Sequence, residues 1–385
     1  MARTKREAAP KKKRRWFYTK APFDTPFLAL LLVLLTIGLA CMFSASYVNG
    51  YYREDDSYFY IKKQLLFALI GITAMLICSC IDYHIWHIFA IPTLGVALIL
   101  LIIVLLRPTE DGVQRWIPLP GIGNIQPSEV AKFALIVVFA HLISLNHKNM
   151  DKFKKGYLPF MVVMAVLCLL TILEPHLSGT MLIFAIGFVM MFVGGTKISY
   201  LLGTVLLGGG AVVFMIAVLG YEQDRIEVWL NLFEVYEKNR DQAWQTMQSL
   251  YAIGSGGLMG QGFGNSRQKH LFLPEPQNDF VFAIVCEELG FIGAVIIIVL
   301  FAVLVWRGFM IATRSPDKFG FMLAIGLSVQ IAIQVALNIA VVSNLLPNTG
   351  ISLPFFSYGG SSLIMLLGQM GILLSVSRQS TKKQA

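Results

Sequence analysis

Charge is scarce in this sequence: only 14% of its 385 residues are Asp, Glu, Lys or Arg, 56% are hydrophobic, and the mean hydropathy is +0.68. A water-soluble globular domain carries about a quarter charged residues, so composition excludes that class and predicts a membrane protein. Also missing is the ten-residue alternation of an outer-membrane barrel, whereas several runs reach the roughly 20 apolar residues of a spanning helix. In hydrocarbon each segment must satisfy its own backbone hydrogen bonds, so the predicted fold is all-α. Cysteine is scarce too. The five present (Cys41, Cys78, Cys80, Cys168, Cys286) lie in or beside apolar runs, and Cys78 and Cys80 have neither zinc nor redox spacing. They read as small hydrophobes. No Walker loop or extended repeat suggests an ATP-driven machine. His84 and His87 share a helix face, yet without further ligands nearby an interfacial cap is preferred to a zinc site.

What is present is a series of ten apolar spans, at approximately 27–48, 62–80, 86–106, 127–145, 158–173, 178–194, 198–220, 281–307, 319–343 and 356–376. The net charge is +9, and the run KKKRR at 11–15 resembles a nucleic-acid or nuclear-localisation patch. Its place immediately before the first span argues for a cytoplasmic basic tail and an uncleaved first span. With that end inside, the tail (1–26) holds nine Lys/Arg, 146–156 four, Lys197 one, 307–318 three and the residues after Ser377 three, which is 20 of the chain's 31. The positive-inside bias thus predicts both termini in the cytoplasm, a single transmembrane domain over 27–376 and a second basic tail at 377–385. No nucleic-acid partner is implied.

The large extracellular loop between spans 7 and 8, 221–280, holds eight acidic and five basic residues. Its first half has amphipathic helical spacing and is expected to lie along the membrane surface. Its second half, "GSGGLMGQGFGNSRQKHLFLPEPQNDF", is rich in Gly and Pro and reads as a flexible lid in preference to a phosphate loop. "RPTEDGVQRWIPLPGIGNIQPSEVAK" and "NLLPNTGISLPFFSYGGSS" open on the same side. Irregular backbone at membrane depth needs protein or a watery cavity over it, so a cleft is expected on the outer face.

The charged groups near that cleft are the candidates for chemistry. Glu129 and Lys132 lie three apart on one helix face, as a first-turn ion pair or as functional groups, since an ammonium at the edge of hydrocarbon needs a partner or a wet cavity. Asp279 reads either as an N-cap or as a base, because partial desolvation raises a carboxylate's affinity for protons while a nearby Lys restrains the rise. Arg115 and Trp116 suit a diphosphate headgroup, by a guanidinium fork and an interfacial indole, or form an ordinary interfacial anchor. Arg267 and Lys269 add cations in the loop; Ser357 and Ser361 belong to "SYGGSS", where free backbone N–H groups at a helix start can receive an anion. Glu174 is read as a cap in preference to a catalytic group. Glu287 and Glu288, ahead of a break suggested by "LGFIG", are expected to face water.

"QPSEVAK", "EPHLSGT", "GSGGLMGQGFGNSRQKHLFLPEPQNDFVFAIVCEELG" and "NTGISLPFFSYGGSS", in that order across ten spans, resemble the SEDS proteins (shape, elongation, division and sporulation) typified by FtsW, RodA and SpoVE. "LPEPQND", with Asn278 before the aspartate, is similar to the division and sporulation branch. The resemblance implies a peptidoglycan glycosyltransferase that polymerises lipid II on the outer face of the bacterial cytoplasmic membrane. By position, Asp279 would be the base that deprotonates the acceptor sugar's 4-hydroxyl for inverting attack on the undecaprenyl-diphosphate-linked donor. Glu129 and Lys132 would orient Asp279 or the sugar, and Arg115 would hold the diphosphate. The His of "EPHLSGT" stands where many members have an acid, so His176 is left outside the site. The resemblance further implies a single-pass class B penicillin-binding protein, the crosslinking transpeptidase, and other division or sporulation proteins as partners. A divalent cation, Mg or Mn, would be reasonable chemistry for the leaving diphosphate, and no metal-ligand residues are assigned. A lipid II flippase or a non-catalytic division scaffold is the alternative.

Overall fold

The computed structural model describes residues 22–107, 115–119, 123–218, 220 and 222–379. The KKKRR run, the rest of the tail up to residue 21 and the last six residues lie outside that set. The frame is helical: α1 (Thr25–Glu54), α2 (Phe59–Cys80), α3 (Ala90–Leu105), α4 (Pro127–Asn146), α5 (Leu158–Leu173), α6 (Leu177–Val193), α7 (Ile198–Ala217), α8 (Arg240–Gly256), α9 (Val281–Thr313), α10 (Lys318–Val342) and α11 (Gly360–Arg378). Eight helices among the described residues have the length and apolar character to cross a membrane, and two shorter apolar ones, α3 and α6, stand where the sequence places its third and sixth spans. The chain is a multi-pass membrane protein.

Local signals set the helix starts. Asp24 caps α1 by accepting the Phe27 N–H at 3.0 Å, Pro127 opens α4, and Asp317 caps α10 through the Gly320 N–H at 2.8 Å. Packing sorts the helices. α4, α10 and α11 are largely buried, whereas only 11% of the apolar window of α7 is covered, which leaves that helix as a lipid-facing outer member. α2 lies along α11, and α4 packs between α3, α6 and α10.

The bundle has two ends. At one, Asp24 binds Arg307 through two 2.9 Å hydrogen bonds, tying the start of α1 to α9. Nearby His84 bridges Asp82 at 2.7 Å and Asp317 at 3.1 Å, while His87 meets His141 at 3.1 Å. Those contacts replace the interfacial cap expected for His84 and His87, and among the described residues no three His, Cys, Asp or Glu form a metal-ligand set.

The opposite end carries the loops. Two short strands, β1 (Ile117–Leu119) and β2 (Gly123–Ile125), form an antiparallel hairpin against α11, where the sequence predicts only irregular backbone. The helices Gln223–Leu230, Leu232–Lys238 and α8 follow the expected amphipathic stretch and close on a small apolar cluster that includes Val228, Leu232 and Met247.

Helix α9 is broken at Gly290, whose φ of 68° and ψ of −170° are open essentially to glycine alone. A Cβ there would lie 2.3 Å from the Gly260 nitrogen and 2.6 Å from the Leu258 oxygen. Gly290→Ala is therefore expected to cost about 2 kcal/mol or more, read as a lower thermal unfolding midpoint in detergent. Gly95→Ala, where a Cβ meets nothing within 4 Å, serves as the control and leaves the midpoint unchanged or higher. Equal midpoints for both would show that the break is not required.

Candidate active site

The short helical segment Val281–Leu289 begins two residues after Asp279. The backbone around that aspartate is fixed from α10: Asn338 Nδ2 donates to the Asp279 carbonyl at 2.8 Å and to the Ile351 carbonyl at 2.5 Å. The carboxylate itself is partly exposed and accepts no hydrogen bond from any described residue, so it does not serve as an N-cap. Gly350, at φ 71°, comes so close that a Cβ there would sit 3.1 Å from Asp279 Oδ2. Burial pushes the Asp279 carboxyl up to about 6, with Arg115 and then Arg225 opposing the rise and Glu275 adding to it. The carboxylate thus keeps its lone pairs free between two guanidinium fields.

Arg115, just ahead of β1, donates to the Pro175 carbonyl, and its field also reaches Glu174 and His176. Trp116 beside it is exposed. Arg225 binds Glu222 at 2.7 Å and donates to the Asn348 carbonyl at 3.0 Å, which brings its helix to the 349–359 segment. Glu174 follows the end of α5, fully buried, and neither carboxylate oxygen has a hydrogen-bond partner among the described residues. As expected it caps that helix, through its backbone N–H on the Leu170 carbonyl at 3.3 Å, while the carboxylate takes no part in the cap. Burial pushes its carboxyl up to about 8 against the opposing Arg115, so it is chiefly protonated at neutral pH. His176 is pushed down to about 3, first by burial and then by Arg115 and Lys132, and stays neutral.

Lys132 does not take the place expected for it beside Asp279. Both it and Glu129 are buried, and they pair with each other at 2.7 Å. Local i, i+3 geometry satisfies the ammonium before a distant carboxylate can. Glu129 also lines a cavity of about 20 Å³ with Gln334, Ser352, Ser357 and Ser362, enough for one water. The link between pair and aspartate is indirect: His176 feels both Lys132 and Arg115, and the cavity wall belongs to the segment whose Gly350 touches Asp279.

The remaining expected residues divide. Ser357 Oγ accepts the Leu353 N–H at 2.7 Å, while Ser361 Oγ, in the first turn of α11, is buried without a partner among the described residues. Arg267 is exposed, but its backbone N–H binds Glu287 at 3.0 Å, about 12 Å along the helix from Asp279 at 1.5 Å per residue. Lys269 is fully buried on Glu288 at 2.7 Å and is not open to a ligand. Glu287 and Glu288 are buried, not water-facing, and "GLMGQG" is hydrogen-bonded to the Gly290 break, so it is not a free lid. Arg225, Asn338 and Gly350 went unnoticed in the sequence. Asn338, which follows Gln330 and Gln334 at four-residue spacing inside the apolar run of α10, is the one with a readable signal.

Residues 25–382 match the family model described as cell cycle protein, FtsW/RodA/SpoVE. The chain is 42% identical to stage V sporulation protein E of Bacillus subtilis over 362 residues, covering 93% of this chain and 97% of that one. It is 39% identical to a probable peptidoglycan glycosyltransferase FtsW of Trichlorobacter lovleyi over 360 residues, 93% of each. Among solved structures, rod shape determining protein RodA of Thermus thermophilus superposes with a TM-score of 0.65 at 25% identity, over 94% of this chain and 98% of that one. A chain from a peptidoglycan synthase complex superposes with a TM-score of 0.76 at 24% identity, covering 94% and 99%. A polytopic helical fold with a carboxylate and two arginines at its loop end defines the class, and the chain belongs to the FtsW/RodA/SpoVE family.

Proposed function

We propose that this chain is a peptidoglycan glycosyltransferase that polymerises lipid II into glycan strands, in division or sporulation, with Asp279 as general base. The observation that carries the assignment of roles is the free carboxylate of Asp279, partly open and flanked by the fields of Arg115 and Arg225. Asp279 takes the proton of the acceptor 4-hydroxyl as that oxygen bonds to the donor's anomeric carbon from the face opposite the diphosphate. The bond from anomeric carbon to diphosphate oxygen breaks, its electron pair stays on that oxygen, and the added negative charge on the leaving diphosphate is met by Arg115 and Arg225, whose planar donors suit phosphate oxygens. Glu129, held by Lys132, shapes the cavity wall beneath. Among the described residues no three His, Cys, Asp or Glu come together as a ligand set for Mg or Mn.

The loop end faces outward from the bacterial cytoplasmic membrane in this reading, which the bias of basic residues in the sequence toward the opposite side supports. A single-pass class B penicillin-binding protein is the partner that crosslinks the strands. The experiment is reconstitution of the full chain with that partner in liposomes carrying labelled lipid II. Strands on a gel support the polymerase; headgroup transfer without polymer identifies a flippase, and neither activity a scaffold.

A base with its carboxyl near 6 also predicts a pH dependence. The ionised form does the work, so kcat/KM falls about tenfold per unit below pH 6 and levels off above it. A rate independent of pH between 5 and 7.5 would contradict this.

A further inference from the structure

Glu287, Glu288 and Lys269 are charged, buried and unused by the reaction above. We infer that they form a clamp of positioning residues that fixes the segment Val281–Leu289, and through it the place of the Asp279 carboxylate. The inference rests on the reading of Asp279 as the base.

Because α9 breaks at Gly290, the membrane-embedded half of that helix does not by itself orient the half that leads to Asp279. The loop does so instead. Gln261 and Gly262 donate backbone N–H groups to the Glu287 and Glu288 carbonyls at 2.9 and 3.0 Å, and Phe291 and Ile292 donate to Gly257 and Leu258 at 2.9 and 3.2 Å. The approach is closer than a side chain allows: a Cβ on Gly256 would lie 2.0 Å from the Cys286 oxygen, and one on Gly260 2.2 Å from the Glu288 oxygen.

The carboxylates then lock this crossing. Glu287 accepts the Ser266 hydroxyl and the N–H groups of Arg267 and Gln268 at 3.0 and 3.3 Å. Glu288 accepts Lys269 Nζ at 2.7 Å and the Ser44 hydroxyl of α1 at 2.6 Å. Lys269 spends its other protons on the Gly264 carbonyl at 2.6 Å and Ser44 at 3.1 Å, and its ammonium lies 4.9 Å from the Tyr47 ring centre. One ammonium therefore joins α1, the loop and the Asp279 segment.

Taking these ions out of water costs several kcal/mol each before pairing, and an apolar cluster of equal volume would stabilise the chain as well. What the charged set adds is a single arrangement, since a shift of the loop leaves a charge bare. The segment's other end is held by neutral contacts: Asn49 donates to the Gln277 side chain at 2.9 Å, and Tyr358 N–H to the Gln277 carbonyl at 2.8 Å.

The test is the double variant Glu288→Gln/Lys269→Met of the full chain in its partner complex, which removes both members of the ion pair and leaves Glu287 on its Ser266, Arg267 and Gln268 donors. Ser44→Ala, which removes only a hydroxyl, is the second variant should the first fail to fold. Lipid II polymerisation kinetics, thermal unfolding and amide exchange over 257–292 are measured together. The clamp predicts an unfolding midpoint near wild type, faster exchange at 257–292, KM within about twofold and kcat lowered by about ten- to a hundredfold in the double variant, less in Ser44→Ala, as for a misplaced catalytic group. Wild-type kcat in the folded variants overturns it, as does a parallel loss of midpoint, kcat and KM that marks a purely structural role. Asp279→Asn, run alongside, separates the two claims: activity in that variant removes the base, while the clamp is still judged on exchange and kcat.

Discussion

Asp279→Asn is expected to lower strand synthesis by about a hundred- to ten-thousandfold, the usual worth of a positioned base, while the chain stays folded and in complex with its partner. Asn keeps the shape of the side chain but has no lone pair basic enough to take a hydroxyl proton. The substitution should also stabilise the fold. Burial raises the Asp279 carboxyl from 3.8 to about 6, so the folded state favours the neutral acid, and stability contributed by that preference is present below 3.8 and lost as pH rises through 6. At neutral pH the native aspartate is ionised at a cost, which Asn removes. A gel assay of strands from lipid II and a thermal unfolding curve check both halves: loss of polymer with an unfolding midpoint at or above wild type. Polymer at the wild-type rate would eliminate the base.

Lys132→Met carries the second large effect. Its ammonium is the partner of a carboxylate that is itself buried, and removing one member of a buried pair costs about 3–5 kcal/mol because the other is left uncompensated. Glu129 also lines the small cavity under the 349–359 segment, so a displaced Glu129 disturbs the wall near Asp279. The single variant should therefore lose both stability and strand synthesis, and fail to support septation in complementation. Glu129→Gln/Lys132→Met, which removes both charges, should recover most of the unfolding midpoint. Equal midpoints for wild type, single and double variants would show that the pair contributes nothing to the fold.

The spans were legible in the sequence because hydrocarbon thickness imposes length and composition on each one; α9 and α11 start within four residues of the expected positions. Asp279 and Arg115 were legible as well, one as an acid at a helix start and the other as a fork beside an indole. The partnership was not. Of the two readings open for Lys132, the first-turn ion pair with Glu129 is the one present, and the cations whose fields reach Asp279 are Arg115 and Arg225. Nor did periodicity reveal that Glu287 and Glu288 are buried: a polar pair before a glycine break looks water-facing unless the loop that covers it, thirty residues earlier in the chain, is known to pack there. Such long-range closure depends on Gly256, Gly260 and Gly290 meeting backbone to backbone, which no local pattern encodes.

The most direct test of the account is the single-turnover rate of lipid II polymerisation against pH, measured for the wild-type complex and for Asp279→Asn in parallel. Wild type should climb through about pH 6 to a plateau, and the variant should be slow and flat across the same range. The same rising limb in both would mean that some other group accepts the proton.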